Sequence, residues 1–88
     1  MHALVFRVRI NEREEADRLL HEEFVPGLSQ APGFVTGYWV NTGEHGGTSV
    51  VVFESEAAAR RTAEQIEPPE SDAITVESFE VGEVVAHA

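Results

Sequence analysis

Apolar and polar side chains alternate from His2 to Ile10. Leu4, Phe6, Val8 and Ile10 fall on one side and Val5, Arg7 and Arg9 on the other, which is the two-residue period of a strand with one apolar face. Asn11 then offers an N-cap, and Glu12, Glu14 and Glu15 crowd a first turn in which the helix dipole favours acids. Ala16, Leu20 and Phe24 recur every four residues with Leu19 beside them, predicting a helix whose apolar stripe faces a sheet while Arg13, Asp17, His21 and Glu22 face water. Pro26-Gly27 predicts a kink or an end to that helix, with an irregular turn through Ala31. Pro32-Gly33 then turns the chain into a second strand.

That strand, Phe34 to Asn41, carries apolar side chains on both parities: Phe34, Tyr38 and Val40 against Val35 and Trp39. Both of its faces are therefore expected to be covered. The run from Thr42 to Gly47 is dense in turn formers, and the valine-rich segment Thr48 to Phe53 completes a hairpin. Ser55 caps a second helix through Ile66, where Ala57, Ala58, Ala59 and Ala63 imply close docking on the sheet. A polar loop, Glu67 to Asp72, leads into a long last strand from Ala73 to about Ala86. Its apolar parity changes between Val76 and Phe79 and again past Val81, which predicts a bulge near Ser78 or Gly82.

The order βαββαβ points to an α+β, ferredoxin-like domain: one antiparallel sheet of order 4-1-3-2 with both helices on one face. All 88 residues belong to that single domain. A chain this short buries only about 60–65% of the surface its unfolded form exposes, so a lone protomer is marginal. The other sheet face would be bare, yet Tyr38, Trp39, Val50, Val51, Val52 and Phe53 put apolar groups on both parities of the middle strands. Sheet-to-sheet homodimerisation, with roughly 800 Å² buried per subunit, is the expected remedy.

Charge and composition narrow the function. Sixteen acidic residues against six basic ones give a net charge of −10, which disfavours a phosphate-backbone partner. The strand Thr48 to Phe53 lacks the interleaved aromatic and basic residues of an RNA-binding sheet. The absence of cysteine removes disulfides, thiolate nucleophiles and thiolate zinc sites. The uncharged stretch from Phe24 to Gly43 is broken by Pro26, Pro32 and four glycines and is not a membrane span. The N-terminus meets Arg7 too early for a signal peptide, so a cytoplasmic protein is expected. The glycines of the hairpin open no helix and fail the context of a nucleotide-binding loop.

Four features resemble the antibiotic biosynthesis monooxygenase-like family of the dimeric α+β barrel superfamily. They are Pro32-Gly33-Phe34-Val35 leading into strand two, Val51-Val52-Phe53-Glu54-Ser55 before an alanine-rich helix, the last strand from Val76 to Val84, and the chain length with its element order. The resemblance implies a dimeric α+β barrel with a pocket between sheet and helices in each subunit. It also implies, for some members, oxygenation of small aromatic or quinol substrates with no conventional cofactor. Haem-degrading members use an asparagine on strand one and a histidine and tryptophan on or near helix two. This chain has none of these at those places.

Within such a pocket the candidates are Trp39, Tyr38 and Phe6, with Phe34, as an aromatic wall for a planar ligand. Arg7 or Arg9 is a candidate to bind a carboxylate or phenolate through paired hydrogen bonds, and Glu77 a candidate general base. The competing use of these charges is cross-strand ion pairing of Arg7 and Arg9 with Glu77, Glu80 and Glu83. His21 and His45 are expected in solvent. His2 and His87 would lie on neighbouring strand ends and, with Glu54, could approach a metal-ligand set, although no metal site is expected. The functional readings are thus a cofactor-independent monooxygenase and, alternatively, a non-catalytic ligand-binding or structural dimeric module. Convergent polar groups beside Trp39 would favour the first.

Overall fold

The computed structural model describes residues 1–67 and 71–88. Four strands, β1 (His2–Ile10), β2 (Phe34–Thr42), β3 (Gly46–Phe53) and β4 (Ile74–Glu83), form one antiparallel sheet of order β2-β3-β1-β4. This is the ferredoxin-like order expected from the sequence, read from the other edge. The part of the predicted polar loop at 68–70 lies outside the described residues. No helix among the described residues is long and apolar enough to cross a membrane.

The first helical segment is longer than Pro26 suggested. It runs as α1 (Arg13–Leu19), a π-helical turn (Leu20–Phe24) and α2 (Val25–Ser29). Val25 N–H donates to the Leu20 carbonyl five residues back, and this widened turn comes immediately before Pro26, which has no N–H to donate and whose ring crowds an ordinary helical turn. The chain thus passes its proline without ending. Asn11 is not the cap. Glu12 occupies that position with extended backbone and no side-chain bond. Asn11 Nδ2 instead donates to the Asp72 carbonyl at 2.9 Å and to Thr75 Oγ1 at 3.0 Å, tying the helix start to the start of β4.

The second helix, α3 (Glu56–Gln65), begins as predicted: Ser55 Oγ accepts from Ala58 N–H at 3.1 Å. Gly33, at φ +83°, carries the chain into β2, and a Cβ there would stand 2.7 Å from the Ala58 Cβ. The alanine-rich face of α3 and the missing side chain of Gly33 therefore belong together, since only this pair lets helix and strand approach so closely.

Strand register sorts the side chains. One row across the helix-covered face is Trp39, Ser49, Phe6 and Phe79, and the next is Asn41, Gly47, Val8 and Val76. The uncovered face carries Tyr38, Val50, Val5 and Glu80 in one row and Val40, Thr48, Arg7 and Ser78 in another. The register of β4 shifts opposite Arg7 and Val8 and leaves Glu77 unmatched. This bulge lies beside Ser78 and explains the parity change between Val76 and Phe79. The core sits between sheet and helices at Leu4, Phe6, Leu28, Val51, Phe53 and Ala59, with Phe34 edge-on to Phe53 at 6.3 Å between ring centres.

Candidate functional site

Small residues open a space where large ones would have closed the core. On β3, Gly47 and Ser49 leave a shallow floor between Trp39 and Asn41 on one side and Phe6 and Val8 on the other. Above it α3 contributes Ala63, and the first helical segment contributes Ala16, Leu20 and Phe24. The result is a cavity of about 300 Å³ between sheet and helices, at the small end of the range for ligand sites. Ile10 and Ile74 close one end. Phe6 and Phe79 stack with ring centres 5.8 Å apart and planes inclined by 25°, so the aromatic floor is continuous from β1 to β4.

Trp39 brings a buried polar group to this largely apolar wall. Its indole N–H is buried and donates to no acceptor among the described residues. A donor of this kind costs about 1–3 kcal/mol while it is unpaired, a cost that an acceptor oxygen reaching it would remove. The indole is held flat by its own strand: a Cβ on Gly37 would lie 2.8 Å from Trp39 Cη2.

The other predicted site residues are dispersed. Phe6 lines the cavity with Trp39. Tyr38, 63% exposed, is on the uncovered face because it is one residue from Trp39 on a pleated strand. Arg7 and Arg9 are exposed on that same face, opposite Ser78 and Thr75, and reach no carboxylate within ion-pair distance among the described residues. The expected cross-strand ion pairs are therefore not formed within the protomer. Glu77 is exposed in the bulge and does not line the cavity. Phe34 packs in the core at the other end of the sheet.

His2 Nε2 stands 3.2 Å from Glu56 Oε2 at the start of α3, whereas His87 is exposed in the C-terminal tail. The described residues contain no group of three histidines or carboxylates placed to hold a metal. Ser49, Gly47, Leu20, Phe24 and Phe79 also shape the cavity. Leu20 and Phe24 belong to the apolar stripe of the first helix, whereas Gly47, a turn former by sequence, lies within β3 because that strand extends back to Gly46.

Neither a protein-family profile nor a curated protein sequence matches the chain. Solved structures do. The chain superposes on a variant of MhuD with two manganese protoporphyrin IX molecules bound per active site, at a TM-score of 0.65 and 18% identity over 100% of this chain and 98% of that one. It superposes equally fully on a dimeric ferredoxin-like protein from an uncultured marine organism, at a TM-score of 0.63, 15% identity and the same coverage. At these identities the likeness is one of fold: the chain has the ferredoxin-like α+β architecture over its whole length.

Proposed function

We propose that this protein is a homodimeric ligand-binding barrel, each protomer holding one small, flat, largely apolar molecule between its sheet and helices. The observation that carries this reading is the unpartnered N–H of Trp39 in the wall of an apolar cavity. A ring carrying a carbonyl or phenolic oxygen would bury against the aromatic row, and a small rotation of the indole, whose nitrogen is buried and closed off from the open space, would give that N–H its acceptor. Self-association is supported by the uncovered apolar side chains of Tyr38, Val50 and Val5, beside Val40 in the next row, and by the dimeric state of a protein of the same fold. A porphyrin fits poorly, because the described lining has no histidine to ligate iron and no cation to meet its carboxylates.

A cofactor-independent monooxygenase of the antibiotic biosynthesis type, acting on a small aromatic or quinol, is the second reading. Trp39 favours it, since an indole N–H stabilises negative charge on a phenolic oxygen as the ring is oxidised. The substrate supplies the electrons: a hydroquinone and dioxygen give a hydroxyquinone and water, with no external reductant. Binding remains the better supported of the two, because Arg7, Arg9 and Glu77 do not converge on the cavity.

Titration with a small quinone, read by the fluorescence of the single tryptophan, tests the binding reading. Saturable quenching that is lost in Ala63→Met, which fills the cavity from α3, is the expected result. Quenching that rises linearly, or that is unchanged in the filled variant, overturns it. Oxygen uptake on the matching hydroquinone above its autoxidation rate, and lost in Trp39→Phe, selects the oxygenase reading.

A further inference from the structure

The charges around the cavity are mostly of one sign. Two carboxylates line it, Asp17 and Glu67, both exposed and so placed at its mouth, and the described lining contains no Arg or His. Neither carboxylate is in an ion pair with a described residue. One guanidinium touches the wall from outside: Arg13 donates to Asn41 Oδ1 at 3.0 Å and to the Glu44 carbonyl at 2.8 Å, and is committed to the hairpin. The net charge of −10 gives the wider field the same sign as the mouth. A cleft with apolar, low-dielectric walls concentrates such a field, and the charge it repels is the one that carboxylated and phosphorylated ligands carry.

We infer that the cavity selects its ligand by charge, taking a flat aromatic that carries a protonated amine in addition to the ring oxygen offered to Trp39, ahead of the same oxygenated ring without the charge, and rejecting the anionic one. This rests on the ligand-binding reading above and narrows it. The ring lies on the row of Trp39, Phe6 and Phe79, and the ammonium group stays at the mouth with Asp17 and Glu67. There it keeps part of its hydration and gains from the two carboxylates.

The test uses three probes that share one ring system and one phenolic oxygen: an aminomethyl-naphthol, a hydroxymethyl-naphthol and a carboxy-naphthol. The full-length protein is titrated with each at neutral pH, and binding is read from the single indole N–H resonance. The expected order is amine, alcohol, carboxylate, with the two ends separated by on the order of tenfold at low salt and drawing together as salt is added. In Asp17→Asn combined with Glu67→Gln, two exposed changes that leave the fold intact by circular dichroism, amine and carboxylate converge. A carboxylate that binds as tightly as the amine, or a preference that survives the double substitution, overturns the charge selection while leaving a binding cavity. If none of the three probes moves the resonance, the ligand-binding reading itself falls.

Discussion

The indole of Trp39 lies across Gly37, two residues earlier on the same strand, so closely that a Cβ at Gly37 would stand 2.8 Å from Cη2 and 2.9 Å from Cζ3. The glycine is the seat of the tryptophan. A residue with a side chain at this point would lift the ring off the sheet and into the cavity whose wall it forms. Gly37→Ala is therefore expected to cost about 1–3 kcal/mol through overpacking and to shift the tryptophan emission to longer wavelength as the indole becomes wetter. Urea denaturation and the emission spectrum check the two effects together. Gly27→Ala provides the contrast: that glycine sits in α2 with nothing within 4 Å of an added Cβ, so the change should stabilise by about 0.5–1 kcal/mol.

The uncovered sheet face carries the prediction about assembly. Val50 lies between Tyr38 and Val5 in the middle of that face, whereas Val51, its neighbour, is fully buried beneath the helices. Val50→Glu should leave the protomer fold in place and raise the dimer dissociation constant at least about a hundredfold, the loss expected at the centre of an interface. Light scattering coupled to size exclusion should then give a dimer mass for the unaltered protein and a monomer mass for the variant. A monomer in the unaltered protein would refute the dimer. Val51→Glu is a different experiment, because it places a carboxylate in the core and should unfold the chain.

Much of this architecture was legible along the chain because its periods are local. The two-residue alternation of β1, the Ser55 cap and the parity change at Glu77 each report a backbone state within a few residues. The faces of β2 were harder to read. Tyr38 and Trp39 are both aromatic, so no contrast of polarity said which looks toward the helices, and only the pairing of Trp39 with Ser49 and of Tyr38 with Val50 separates them. Arg7 and Arg9 illustrate the same limit. The alternation placed them opposite Phe6 and Val8 correctly, but a pocket role required the helix-covered face, which that alternation assigns to the apolar set. The cavity itself comes from residues that are small, Gly47, Ser49 and Ala63, brought together from two distant elements. Absence of bulk has no period, and only the assembled sheet shows where it coincides.

Arg18 supplies a pH-dependent brace for the helix that roofs the cavity. Its guanidinium donates to both carboxylate oxygens of Glu15 and, at 2.9 Å, to Glu22 Oε2, so that one side chain bridges α1 and the π-helical turn that presents Leu20 and Phe24. The hydrogen bonds from Arg18 are the main cause holding the Glu15 carboxyl below its ordinary value, with the attraction of the two charges adding to them and partial desolvation opposing. A carboxyl whose pKa is lower folded than unfolded contributes stability that is present above its unfolded pKa and is lost as the pH falls through the folded value. Arg18→Gln should accordingly lower the thermal midpoint slightly at neutral pH, with the two proteins converging in acid once Glu15 is protonated in both. Carboxyl-carbon NMR titration checks the cause directly: the Glu15 midpoint should rise toward that of an isolated glutamate in the variant. If it does not move, the brace is a contact without energetic coupling, as many exposed ion pairs are.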